Sequence, residues 1–360
     1  MPDPFLFDHI DMAECTEGLC CPVNLSREEK RKGFEHDPTN AQDTLQSLRD
    51  GTMSLSVPYF NHQVNVEQIG EHLHDLWDEL IHAAKIIPAS SSEHDRMVTL
   101  ILEARELGTF VRKKKDASSD EEREEAVLPN GQRLWTDLPY LVQEFQDSWT
   151  NESITFTATQ RESLAALTAK LCAVGVCPNE LSYCALWLFR ETLEVDRPLT
   201  PSSHEGGDPK YPQPTVINLL PANLAWLRHS KLKLAKLSVA HYDPSPAVSD
   251  DNVQVSTAPG DLATKANFLQ NGFGVARWLF WRQRFKDLSG CGDERVAKLA
   301  RACFEEAVLT GLHVGLDIPG EKKYLSNLFK ALDRELVARG TTGCVGPEDI
   351  EIDMDWADEK

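Results

Sequence analysis

His74, Asp78 and His82 follow one another at intervals of four residues. On a helix that spacing stacks two imidazoles and a carboxylate along one face, the arrangement in which they share a divalent cation. The same face reads equally as solvated polar surface opposite a buried stripe. His72 points elsewhere and no further ligand is identifiable, so no metal is assigned. Arg277, Arg282 and Arg284 are interleaved with Trp278 and Trp281, a mixture that binds a small anion or stacks on bases. Arg277, Trp278, Trp281 and Arg284 are therefore the candidate ligand-binding residues, although pairing of these guanidiniums with acids of neighbouring helices is the plainer expectation in an acidic chain. Just upstream, Gly272-Phe273-Gly274 lacks the third glycine and the preceding strand of a dinucleotide fingerprint, and reads as a glycine-marked helix entry.

Two more charged features invite a partner. Arg228, Lys231, Lys233 and Lys236 form a basic cluster on one predicted helix, while residues 348–360 hold seven acids against one lysine, a net charge of −6. Within that tail Ile350, Ile352, Met354 and Trp356 alternate with acids, the pattern of an extended peptide that adds a strand to a partner's sheet edge. These four are the candidate partner-binding residues, and the basic cluster is an electrostatic complement for the tail within the chain itself. Ser118 and Ser119, ahead of Asp120, Glu121 and Glu122, stand in the acidic context that acidophilic kinases favour.

Catalytic spacing is otherwise missing. No P-loop, H-E-x-x-H element, paired-carboxylate motif or local Ser/His/Asp set appears, and no cofactor fingerprint is complete. A triad assembled from distant positions stays possible, because it is defined by geometry and not by sequence order. The nine cysteines include no C-x-x-C pair, so Cys15, Cys20 and Cys21 read as loop thiols. Cys172, Cys184 and Cys303 fall on apolar helix faces as small hydrophobes.

Composition bounds the setting. Among 360 residues, 57 acids against 37 lysines and arginines give a net charge of −20, which disfavours nucleic acid and anionic membranes as partners. No basic-then-apolar leader and no run of about 18 apolar residues is present, so the chain reads as cytoplasmic or nuclear, without a membrane span.

The elements that must carry these residues are helices. Val66, Ile69, Leu73, Leu76, Trp77, Leu80, Ala83, Ala84 and Ile87 recur at three and four residues and end at Pro88. Met97, Leu100, Ile101 and Ala104 mark a second helix, with Ser92 as its expected cap and Gly108 closing it. Residues 112–125 read as a solvated charged loop. Leu138, Leu141, Val142, Phe145 and Trp149 suggest a helix over 135–149 with Pro139 in its first turn, and Thr159 with Glu162 suggests a capping box for the next. Pro178 opens a helix whose Leu186-Trp187-Leu188-Phe189 run must be covered on most sides, which predicts the centre of the fold, with an Arg190–Glu194 ion pair along it. Polar loops over 196–215 and 243–260 flank a helix expected to start at Pro221. Trp278, Trp281, Phe285 and Leu288, then Val296, Leu299, Ala300, Cys303 and Ala307, then Leu325, Leu328, Leu332 and Leu336 give the last stripes. The expectation is an all-α, irregular bundle of about ten helices over 61–340. A less ordered extension over 1–60, with a short helix over 39–49 stopped by Gly51, precedes it, and an acidic tail over 341–360 follows.

Four spaced words resemble a family of uncharacterised proteins of filamentous fungi known as a domain of unknown function. They are Leu76-Trp77-Asp78-Glu79-Leu80-Ile81 with Ala83 to Pro88; Leu134-Trp135-Thr136-Asp137-Leu138-Pro139; Tyr183-Cys184-Ala185-Leu186-Trp187 with Arg190, Leu193 and Glu194; and Arg277 through Phe285. The resemblance implies a helical intracellular fungal protein and carries over no activity, cofactor or partner. The leading expectation for function is a non-enzymatic interaction or regulatory protein. The alternative is an enzyme or small-anion-binding protein using the arginines near Trp278 in an inter-helix cleft.

Overall fold

A computed structural model describes residues 46, 48–52, 55–114, 122–201, 213–244, 257–313, 315 and 321–339. The expected tail contacts, Ser118 and Ser119, and Cys15, Cys20 and Cys21 lie outside the described residues.

The all-α expectation holds. In chain order the helices are α1 (Ser56–Phe60), α2 (Val66–Ile86), α3 (Glu93–Glu106), α4 (Leu141–Asp147), α5 (Ala158–Ala173), α6 (Pro178–Phe189), α7 (Val216–Val239), α8 (Asp261–Lys265), α9 (Val275–Ser289), α10 (Glu294–His313) and α11 (Glu321–Arg339). A π-helical turn, Ser148–Glu152, extends α4, and another, Arg190–Glu194, extends α6. Residues 48–52 are helical through Gly51, which does not stop the chain there: a Cβ on it would meet Leu76 at 3.3 Å, so the glycine allows close packing. Leu48, Thr52 and Tyr59 are buried, so the helical body takes in residues before 61.

The centre of packing is the α5–α7 pair, not the Pro178 helix. α5 lies among α2, α3, α6 and α7, and α7 continues the core to α9 and α10. Alanines explain the difference. Ala165, Ala166 and Ala169 of α5 and Ala222, Ala225 and Ala235 of α7 are buried and let the two backbones approach. Leu186, Leu188 and Phe189 of α6 are buried against that pair, while Trp187 is partly covered. Cys172, Cys184 and Cys303 are buried free thiols, as their apolar faces imply.

Several boundaries differ from the sequence reading, each for a tertiary or steric reason. The helix expected from residue 135 begins only at Leu141, because Pro139 biases Leu138 away from the helical region. Trp135, Leu138 and Tyr140 instead take left-handed φ values of 62°, 48° and 65°. Trp77 pins this segment by donating its indole N–H to the Pro139 carbonyl at 2.7 Å. The next helix is capped two residues earlier than expected, by Thr157 with Gln160. α7 starts at Val216, not at Pro221, since the carbonyls of Pro198 and Leu199 accept the Val216 and Ile217 amides. Ser92 makes no side-chain cap; the Ser91 hydroxyl accepts from the Glu93 amide instead.

The charged stretch expected to be a loop is a hairpin at both ends, β1 (Val111–Lys113) antiparallel to β2 (Arg123–Glu125). Arg112 supplies the anchor that no apolar residue does. It pairs with Glu124 at 2.5 Å, donates to the Tyr59 and Val64 carbonyls, and lies over the Tyr59 ring at 4.1 Å. α11 is rotated relative to its leucine stripe: it buries Tyr324, Leu328 and Ala331 on α10, where Tyr324 meets Phe304 edge-on. Leu336 faces outward as a result.

His94, in the first turn of α3, is fully buried. Its Nε2 donates to the Ile87 carbonyl at 3.1 Å, which leaves Nδ1 as the unprotonated nitrogen, and Nδ1 has no partner. Burial lowers its pKa from the usual value. Between that lowered value and about pH 6.5 the unfolded chain binds a proton that the folded imidazole refuses, so this contribution is complete above pH ~6.5 and is lost as pH falls below it. Urea unfolding from pH ~7.5 to ~5.5 will show stability declining, by up to about 1.4 kcal/mol per pH unit from this one group. His94→Gln will flatten the slope. His229, whose pKa is also lowered, mainly by burial, leaves a residual dependence of the same sign.

Candidate functional site

The arginine–tryptophan face of α9 meets the π-helical end of α6. A π turn advances by more than four residues per turn, so Arg190 and Glu194 are not stacked. The expected pair between them is absent: Arg190 binds Glu191 at 2.7 Å, and Glu194 turns inward to Arg277. The two side chains of that inner pair are 0% and 3% exposed, respectively. Arg277 Nε donates to Glu194 Oε1 at 2.6 Å and Nη2 to Oε2 at 2.9 Å, a two-pronged fork. Nη1 donates to the Thr257 and Gly272 carbonyls, and Nη2 also to that of Ala258. All five guanidinium N–H groups are engaged. The carboxylate is as well served, accepting in addition from Trp281 Nε1 at 2.6 Å and the Gly260 amide at 2.7 Å.

This geometry explains the local glycines. A Cβ at Gly260 would lie 2.7 Å from the Glu194 carbonyl oxygen, and one at Gly272, where φ is +70°, 2.5 Å from Asp243 Cα. Gly272 and Gly274 thus serve close packing and the entry to α9. Trp278 and Trp281 are buried, packed edge to face at 6.3 Å and continued by Phe189 and Phe273 around Trp281, with Phe285 edge-on to Phe189. Arg284 is partly exposed; its Nε donates to the Leu193 carbonyl and its Nη1 lies 3.7 Å from Asp287. Of the four candidate ligand-binding residues, three therefore sit in the core and Arg277 has no donor left over.

His74, Asp78 and His82 do share one face of α2, but that face is covered by α4 and its π turn instead of solvent. Asp78 is 8% and His82 6% exposed. His74 Nδ1 binds Glu144 Oε1 at 2.5 Å, and its ring stacks on Tyr140 at 4.1 Å. Lys85 continues the seam by reaching Glu152 at 3.5 Å, over the Phe156 ring. Among the described residues no group of three or more His, Cys, Asp or Glu side chains is placed to hold a metal ion.

Burial raises the pKa values of the Cys172, Cys184 and Cys303 thiols, and holds Cys177 up at about 11, which keeps them protonated and poorly nucleophilic. In the basic cluster of α7, Lys231 pairs with Glu306 of α10. An open hollow of ≈ 620 Å³ beside the hairpin is lined by His62, Asn65, Gln68, Lys114 and Glu122 with Arg112, whose Nε donates to Glu124 and whose Nη1 donates to two carbonyls. The sequence missed Glu194 as the hub because it sits 83 residues from Arg277 and looked like half of a local pair.

Removing one partner strands a buried charge, so Glu194→Gln and Arg277→Met will each destabilise the chain by about 3–5 kcal/mol in chemical denaturation. The double variant Glu194→Leu/Arg277→Met will lose less than the sum of the two, since no charge is then left alone.

Comparison with other proteins extends the resemblance read from the sequence. Over 277 residues the chain is 27% identical to the oxopyrrolidines biosynthesis cluster protein G of Penicillium oxalicum, spanning 76% of this chain and 70% of that protein. No solved structure matches. Among the described residues, no helix is long and apolar enough to cross a membrane. Residues 77–285, more than half of the chain and the span that holds the Glu194–Arg277 hub, match the model of a family described as a protein of unknown function, DUF3632, and the chain belongs to that family.

Proposed function

We propose that this chain is a non-catalytic interaction protein that engages another protein through α11 and the acidic residues after it. The observation that carries this reading is the outer face of α11. Phe329 is 60% and Leu336 37% exposed, with half-buried Leu325 and Leu332 on the same side, and Val337, 84% exposed, lies about a quarter turn further round. A helix that buries one face on α10 and offers a second apolar face is suited to a helix-in-groove or helix–helix contact. Ile350, Ile352, Met354 and Trp356 follow within about twenty residues and belong to the same proposed surface. The core around α9 supports a structural role in place of chemistry: Arg277 is saturated and the buried thiols are held protonated. The likeness to a protein named for a biosynthesis cluster suggests that the partner is a protein of small-molecule biosynthesis, met inside the cell.

The test compares the full chain, the variant Phe329→Glu/Val337→Glu and a chain ending at residue 340 in quantitative pull-downs from native lysate, with helicity and melting checked in parallel. The expected outcome is at least about a tenfold loss of defined partners from both altered chains at unchanged stability. Recovery of the same proteins in the same amounts by all three would refute the proposal.

A further inference from the structure

The outer face of α7 carries charge that the fold leaves open. Arg228, His229, Leu232, Lys236 and Val239 are exposed there, with Lys233 half-buried beside them. Lys231 pairs with Glu306, whereas Arg228, Lys233 and Lys236 make no ion pair among the described residues. Glu162 of α5 feels the Arg228 charge, but no ion pair joins the two. Leu232 and Val239 are each 44% exposed among these cations. Leu269, at 77%, continues the apolar surface past the end of α7, where the neighbouring Gln270 lies 3.4 Å from His241.

The two kinds of residue lie side by side. At about 100° per residue Leu232 and Val239 fall within about 20° of each other, and Lys236, His229 and Lys233 follow at about 40°, 60° and 100° to one side of Leu232. An apolar strip with a basic strip along one edge matches an extended peptide laid flat on the helix, because alternate side chains then point to opposite edges of the peptide. Residues 349–356 have that alternation, with Ile350, Ile352, Met354 and Trp356 on one edge and Asp349, Glu351, Asp353 and Asp355 on the other. Lengths agree as well. Ile350 to Trp356 extends about 20 Å, and α7 from Arg228 to Val239 about 17 Å before Leu269 is added. α10 packs on α7 and α11 packs on α10, two interaxial steps of about 8–10 Å each, and residues 340–348 reach up to about 30 Å when extended. We propose that residues 349–356 of this chain dock along the outer face of α7, with the apolar edge on Leu232 and Val239 and the acids on Lys236 and Lys233. The inference rests on the reading of this segment as a binding element and adds where it is held when no partner has taken it. Attachment to the same chain gives the segment a high effective concentration, so a modest contact suffices.

The experiment follows hydrogen exchange of residues 349–356 in the purified full chain, with carbodiimide coupling of lysines to acids in parallel. The segment is expected to exchange at least about tenfold more slowly in the parent than in Lys233→Glu/Lys236→Glu, and its protection will fade in about 0.5 M sodium chloride as the charges are screened. Asp353→Lys/Asp355→Lys, which leaves the helices untouched, will lose the protection too, and joining the two pairs of substitutions will restore it. Coupling will link Lys233 or Lys236 to the segment within one chain. Equal exchange in the parent and both charge-reversed chains, links confined to the lysines of α11, or links that form only between differently labelled copies would each overturn the docking. No partner is present in these measurements, so failure here leaves the pull-down result standing, and failure of the pull-downs leaves the exchange result standing.

Discussion

One buried carboxylate organises half of this molecule. Glu194 accepts four hydrogen bonds from two separate segments: two from Arg277 and one from Trp281 on α9, and one from the Gly260 amide. Arg277 in turn holds the carbonyls of Thr257, Ala258 and Gly272. An ion removed from water needs its lone pairs and protons filled, because each unfilled one costs as much as a lost hydrogen bond in a low-dielectric interior. Here they are filled by backbone groups as well as side chains, so the ion pair fixes the path of the chain on both sides of the 245–256 segment. Gly260 and Gly272 follow from that constraint, since any Cβ there would collide with the backbone it brings together.

The rest of the core is apolar and closely spaced. Small residues on α5 and α7 bring those helices together, and large aromatic rings fill the outer layers, with Trp135, Trp149, Trp226 and Trp281 fully enclosed. Such an interior is suited to holding a shape: its thiols are disfavoured as thiolates and His94 as an imidazolium ion, because burial penalises whichever form carries charge. Exposed large apolar groups therefore collect at the margin, among them Phe329, Leu336 and Val337 of α11. Both π turns occur where a helix must re-aim side chains, toward Lys85 through Glu152 in one case and toward Arg277 through Glu194 in the other.

The two buried arginines differ in what they were given. Arg277 has a carboxylate with matching geometry, whereas Arg161 has carbonyl oxygens alone among the described residues. Their sequence surroundings differ but do not show which one is satisfied. Arg277 stands among aromatic residues and attracts attention, while Arg161 lies in an ordinary helix opening, and only the partners brought by folding show which charge is satisfied.

The sequence by itself determined the helical class, the buried faces of α2, α3, α9 and α10, and the proline-marked start of α6, because apolar periodicity and chain stiffness are local properties that each segment carries alone. Net charge and the absence of local catalytic spacing were equally legible. Only the tertiary structure decided that α5 and α7 are the centre, that α7 starts before its proline, that the α2 histidines face α4, and that Glu194 belongs to Arg277. Each of these depends on which distant group fills a hydrogen bond or covers a surface, as when the Pro198 and Leu199 carbonyls set the first turn of α7. Such pairing across tens of residues is fixed by the free energy of the whole packed chain and leaves no periodic trace in its letters.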